Sequence, residues 1–222
     1  MIERRLPLPA NLSAATVLPL VYTIARGLCI GCGECEKFCE AKAIDYAQQD
    51  ETVELSVGAV VLAPGFEPFD ARRKEELGYG RYANVITSVE FERILSASGP
   101  YFGHVQRISD GKEPKKIAFL QCIGSRDQKH DYCSAVCCMF ATKEAVIAKD
   151  HQPGLDVHVF MMDMRAFSKG YWGYFERARG RYGIHYHRCR VSALREDPQT
   201  HELILQYSDD EEGAAHLRRE KF

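Results

Sequence analysis

The chain has 222 residues, 45% of them hydrophobic and 27% charged, with a net charge of −2. That is the make-up of an ordinary soluble globular protein of one large or two small domains, and it gives no global attraction to nucleic acid or anionic lipid. Nine cysteines, an odd number with Cys137 and Cys138 adjacent, do not suit a secreted disulfide scaffold; a reducing, oxygen-poor cytoplasm is the expected compartment.

From the N-terminus, Leu12 to Ala25 is apolar but carries Pro19 and Tyr22 and stops at Arg26. It falls short of the roughly 20 residues that cross a bilayer, so no membrane insertion is expected. Arg4 and Arg5 only imitate a signal-peptide start. Val17 to Ile24 reads as a short strand feeding the loop that follows, and Cys29 to Ala43 as a glycine-containing loop with one short helix. The β-branched run Thr52 to Ala63, ending at Pro64-Gly65, predicts a strand, and residues 70–84 a surface connection. Ser88 to Ser98 predicts a helix capped by Ser88, with Val89, Ile94 and Leu95 near one face. Glycines and prolines over residues 99–116 predict a linker.

Beyond it the pattern is α/β. Strands are expected at Lys116–Gln121, Asp156–Met162, Ile184–Val191 and Glu202–Tyr207, and helices at Ser134–Lys149 and Gly170–Tyr182. Strand, helix, strand, helix, strand in this order implies a parallel sheet. The charged tail from Ser208 is expected to fray.

Eight cysteines form two sets of four. Cys29, Cys32, Cys35 and Cys39 follow C-x2-C-x2-C-x3-C, similar to the bacterial ferredoxin run that holds a 4Fe-4S cluster. Three thiolates must converge on one small cube from a single loop. Gly31 and Gly33 permit the turns and leave amide N–H groups for cluster sulfur. In two-cluster ferredoxins the fourth cysteine serves the other cluster, and here Glu40 replaces the usual proline, so which cluster Cys39 ligates stays open. Zinc also takes four thiolates, but favours two separated C-x2-C pairs.

The second set is Cys122, Cys133, Cys137 and Cys138. Cys122 closes a predicted strand; Cys133 and Cys137, four apart near a helix start, are expected to share a face. The intervening strand–loop–helix is where a dinucleotide fold carries its phosphate loop, yet G-x-G-x-x-G is absent. Three readings remain at this point: a cluster in the crevice, buried structural cysteines (Cys138 fitting best), or a redox dithiol, which the missing C-x-x-C disfavours.

Longer stretches carry more information: CIGCGECEKFCEAKAIDY (29–46), VGAVVLAPGFEPFDARRKEELGYGRYANVITSVEFERILSASGP (57–100), DGKEPKKIAFLQCIGSRD (110–127), YCSAVCCMFATKEAVIAKDH (132–151) and MDMRAFSKGY (162–171). Together they resemble the heterodisulfide reductase family, in its A-type chains and their relatives, over about residues 20–207. The resemblance implies an α/β fold, with a ferredoxin-like iron–sulfur module joined to a Rossmann-like parallel-sheet domain of disulfide-reductase type. The expected division is a partial 4Fe-4S module at 1–46, an FAD-domain-like segment at 47–114 and a Rossmann-like βαβ domain at 115–222. It implies one or two 4Fe-4S clusters, on Cys29, Cys32, Cys35 and Cys39 and on the Cys-Cys motif of Cys122, Cys133, Cys137 and Cys138. It also implies FAD, only partly supplied here, approached by Ala63, Pro64 and Gly65. Pro64 stands where the family carries threonine, which removes a hydroxyl contact. Implied partners are other subunits of such a complex and a ferredoxin, hydrogenase or formate dehydrogenase type of donor.

The family's glycine-rich FAD fingerprint, a preceding ferredoxin motif and the closing FAD strand are absent, so the chain resembles a middle slice, either one half of a split polypeptide or a truncated product. Two other classes of reading are a non-catalytic iron–sulfur assembly or sensor module and a non-functional fragment. Arg165, Lys169, Tyr171 and Trp172 lie where a flavin could sit, or form a solvated basic-aromatic helix start. Arg177, Arg179, Arg181 and Arg188 beside aromatics read as amphipathic packing rather than an RNA surface. His185 and His187 alternate on a strand and read as facing one side without a metal. Cys189 reads as a core thiol. No catalytic triad or carboxylate pair is present.

Overall fold

The computed structural model describes residues 29–47, 52, 54–62, 65–211 and 214–222. The chain divides into two units, Met1–Glu67 and Pro68–Phe222. The expected strand at Val17–Ile24 and the apolar run before Arg26 lie outside the described residues, as do Ala63 and Pro64.

In the first unit the one described helix is α1, Glu34–Lys37, a single turn entered through Gly33 at φ 74°. No residue of α1 is buried. The strand expected over Thr52–Ala63 does not form among residues 52 and 54–62, and Leu55, Val57, Val60, Val61 and Leu62 are all exposed. β propensity alone does not make a strand. The backbone N–H and C=O groups need a neighbouring strand, and the described residues of this unit supply none.

The second unit opens with two 3-10 turns, Ala71–Arg73 and Glu75–Leu77, followed by α2, Ser88–Leu95. The cap of α2 is Thr87, not Ser88. Its hydroxyl accepts from the Glu90 N–H at 3.3 Å, and the Glu90 carboxylate accepts from the Thr87 N–H at 2.7 Å. This reciprocal box satisfies two N–H groups that a helix start otherwise leaves bare. Thr87→Ala should lower stability by about 1 kcal/mol, read as a shift of the urea midpoint at unchanged slope. Residues 99–115 hold no helix or strand, as expected, but they are packed: Val105 sits in the core with Phe91 and Leu95.

The sheet then builds as β1 (Lys116–Leu120), α3 (Cys137–His151), β2 (Asp156–Met161), α4 (Tyr171–Gly180) and β3 (His185–Arg188). Its order is β1-β2-β3, with both pairs parallel. Alternation along β2 sends Val157 and Val159 to one face, where they meet Phe91 and Leu95 of α2, Ala145, Val146 and Ala148 of α3 and Ala178 of α4. Phe160 points the other way, among Leu194, Leu205 and Tyr207.

Those three residues belong to a second sheet, antiparallel, of β4 (Val191–Glu196), β5 (Leu203–Glu211) and β6 (Ala214–Lys221). This corrects one expectation: the single strand expected at Ile184–Val191 breaks at residues 189–190 and passes from one sheet to the other. The strand expected at 202–207 forms within β5 and pairs antiparallel. The tail from Ser208 does not fray: β6 pairs along β5, and the Phe222 N–H and C=O both bond Leu203, at 2.8 and 2.9 Å. Lys221 adds ion pairs to Asp197 at 3.1 Å and Glu202 at 3.2 Å. The unit is therefore layered as helices, parallel sheet and antiparallel sheet. No helix among the described residues is long and apolar enough to cross a membrane.

Candidate iron–sulfur sites

All nine cysteines are free thiols. In the first set, Cys29, Cys32 and Cys35 lie along the loop and first turn of α1, and Cys39 just past its end. The Gly31 N–H donates to Cys29 Sγ at 3.4 Å and the Ala43 N–H to Cys39 Sγ at 3.3 Å. The first of these bonds holds the Cys29 thiol below its ordinary pKa, since it favours the thiolate. Cys35 Sγ and Tyr46 Oη share a hydrogen bond at 2.8 Å, which helps to push the tyrosine up to about 12. Gly31 and Gly33 both have positive φ and open space where a Cβ would project. Four thiols on one loop, N–H groups aimed at sulfur and room beside the backbone fit a 4Fe-4S cluster.

The second set surrounds the carboxyl end of the parallel sheet. Cys122 follows β1 in the left-handed region at φ 59°. Cys137 opens α3, whose cap residue Val136 offers no side-chain acceptor. Cys138 follows it and is buried, 3.7 Å from the Asp163 carbonyl beyond β2. Cys138, Ser134 and the Cys122 backbone all lie close enough to act on the Cys137 thiol. The Cys137 thiol is thereby lowered to about 6, with the Cys138 contact foremost. The same contact, with burial, pushes Cys138 strongly upward. The structure thus brings Cys122, Cys137 and Cys138 together. Cys133 does not share a helical face with Cys137, because α3 begins four residues beyond Cys133, at Cys137 itself; Cys133 sits in the loop, its Sγ accepting from the Ala135 N–H at 3.4 Å.

A charged frame around this set was not evident in the sequence. Arg126 pairs with Asp163, and Arg165 grips the same carboxylate at 2.8 and 2.9 Å. Arg126 is within electrostatic reach of Cys122, and Arg165 of Cys133. The one available signal was topological, since loops after parallel strands converge at the carboxyl end. Lys74 pairs with Asp127 in the same loop at 3.2 Å. Gly124, at φ 73°, faces Phe69 so closely that a Cβ would come within 2.3 Å of the ring. Gly124→Ala should therefore cost roughly 2 kcal/mol or more, seen as a lower melting temperature, and should reduce the iron that this loop retains.

The remaining expected residues are dispersed. Gly65 is described, at φ 76°, but its neighbours Ala63 and Pro64 are not. Tyr171 and Trp172 are exposed at the start of α4, while Phe175 and Ala178 bury its inner face. Arg177, Arg179 and Arg181 lie over Tyr174, Phe175 and Tyr182. Cys189 packs beside the second core.

Residues 22–45 match the family model described as a 4Fe-4S binding domain. The chain is 48% identical over 197 residues to the A-type iron–sulfur subunit of CoB–CoM heterodisulfide reductase from Methanocaldococcus jannaschii, covering 88% of this chain and 30% of that one. This chain is similar to part of the A-type chain of heterodisulfide reductase. The A-type chain of the H2/formate:CoB-CoM heterodisulfide, ferredoxin reductase of Methanococcus maripaludis is 46% identical over 194 residues, covering 86% of this chain and 30% of that one. The A-type chain of the ferredoxin:CoB-CoM heterodisulfide reductase of Methanosarcina mazei is 40% identical over 179 residues, covering 80% and 22%. The chain spans less than a third of the length of these relatives.

Proposed function

We propose that this chain is an iron–sulfur electron-transfer polypeptide of a heterodisulfide-reductase-type complex. Cys29, Cys32, Cys35 and Cys39 would hold one 4Fe-4S cluster, and Cys122, Cys133, Cys137 and Cys138 a second. The observation that carries this reading is the match of residues 22–45 to a 4Fe-4S binding domain beside a second cysteine set. Bound clusters supply one-electron storage and transfer. The chain's residues do the rest. The Gly31, Ala43 and Ala135 N–H groups stabilise charge on sulfur. Arg126 and Arg165 place positive charge beside the second set, which favours its reduced state. Burial of Cys138 keeps water from one side of it.

The helix-backed parallel sheet, with the second cysteine set where its strands end, supports a Rossmann-like domain of disulfide-reductase type. FAD would be completed by other segments, since this chain offers only the stretch around Gly65. The partners would be other subunits of such a complex and a ferredoxin, hydrogenase or formate dehydrogenase type of donor, in a reducing cytoplasm. Anaerobic purification with iron and acid-labile sulfide counting, flavin extraction and low-temperature EPR tests the proposal. About eight iron and eight sulfide per chain are expected. Colourless protein free of sulfide, or zinc in place of iron, overturns it.

A further inference from the structure

The start of the parallel sheet, at the end opposite Cys122, Cys137 and Cys138, carries a second group of ligating side chains. Asp156 opens β2, His158 follows two residues on and so shares its face, and His185 opens β3 as the register partner of His158. One ligand atom from each lies within 4.8 Å of the others. His158 Nε2 is 3.1 Å from Asp156 Oδ2, and His185 Nε2 is 3.3 Å from Asp156 Oδ1. Tetrahedral zinc, with bonds of about 2.0–2.1 Å, sets its ligand atoms about 3.3 Å apart.

We propose that Asp156, His158 and His185 form a binding site for a divalent transition-metal ion of the zinc class. The decisive residue is His158. It is 7% exposed, and its Nε2 is buried without a hydrogen-bond partner. The 3.1 Å approach to Asp156 is therefore close but not aligned as a hydrogen bond. Its other nitrogen, Nδ1, lies 2.8 Å from His187 Nε2. With Nδ1–H donating to His187, the Nε2 lone pair faces the carboxylate, acceptor against acceptor, and a cation relieves that repulsion. A ligating histidine whose second nitrogen is held by a neighbour is the usual arrangement around zinc. Phe222 packs edge-on against the His158 ring, at 5.2 Å between centroids.

Lys116 is the local competitor, with Nζ 3.4 Å from Asp156 Oδ2. It also pairs with Glu220 of β6, so it keeps a carboxylate when the ion takes Asp156. Asp156 and His185 are partly open to solvent, which leaves room for water as fourth ligand. Because Glu220 of β6 and Phe222, just past its end, flank the group, the ion would tie β2 to β3 at the seam between the sheets. That is a structural role, at the other end of the sheet from Cys122, Cys137 and Cys138.

The test uses the full chain, anaerobic and with its iron–sulfur content intact, passed over chelator and then given Zn(II) or Co(II). About one zinc per chain should bind without release of iron. Cobalt should show ligand-field bands and no thiolate charge-transfer band, and zinc should raise the melting temperature. His185→Gln and Asp156→Asn, both partly exposed positions, should each weaken binding about tenfold or more and abolish the thermal shift, and His187→Ala should weaken binding roughly 10–100-fold. Zinc or cobalt uptake unchanged in His185→Gln and Asp156→Asn, or wild-type uptake no greater than that of His185→Gln, overturns the proposal. This comparison holds whether the cysteines carry clusters or zinc, because both variants keep every cysteine.

Discussion

Replacing Glu144 with methionine should make the protein more stable at pH 8 by about 5 kcal/mol, a rise in melting temperature of roughly 10–20 °C. Glu144 lies on α3 with no exposed surface, and neither carboxyl oxygen has a hydrogen-bond partner. Burial, with Glu92 nearby, pushes its pKa from 4.5 up to about 9, against the opposing charge of Lys143. The folded state therefore binds a proton that the unfolded chain has released. Stability from this group is fully present below about pH 4.5 and is lost as pH rises toward 9, by about 1.4 kcal/mol per unit in between. Methionine has similar volume, no charge to desolvate and no unpaired oxygen. The gain should shrink to about 1 kcal/mol at pH 5. Melting temperatures of both proteins at pH 5, 6.5 and 8 decide it. Parallel pH curves, or a methionine variant less stable at every pH, would contradict the assignment of a neutral, unpartnered Glu144.

Cys137→Ser should remove the second cluster and leave the first, taking iron from about eight to about four per chain and deleting one EPR signal. Cys137 lies at the first position of α3, beside Cys138, Ser134 and Cys122, so it is central to the thiols that the fold gathers. Cys32→Ser should produce the complementary loss, because Cys32 belongs to the other unit. Cys189→Ala should change neither. Cys138→Ala separates two roles: loss of iron assigns it as a ligand, and retained iron with lower stability assigns it to the core. Full iron content in Cys137→Ser would remove the second set from the proposal.

The first cysteine set was legible because its chemistry is local, with one loop supplying all four thiols at a spacing that few other sites share. α3, β2 and α4 were legible because each buries apolar residues at its own period, and β1 because its apolar run is half-buried on both faces; their observed limits differ from the expected ones by no more than about one helical turn. Ser88 and Thr87 are both good caps, and only the return bond from Glu90 distinguishes them.

Composition and spacing by themselves determined that this chain carries a ferredoxin-type run of four cysteines and that its second half alternates strand and helix, because thiol spacing and hydrophobic period act over a few residues. Tertiary structure alone decided that Cys122 meets Cys137 and Cys138 inside a frame of Arg126, Asp163 and Arg165, and that the charged tail pairs with β5. It also decided that the apolar stretch after residue 54 forms no ladder among its described residues, and that Asp156, His158 and His185 converge. Each of these depends on which strands lie side by side, and a strand's partner is chosen by the whole sheet rather than by its own residues.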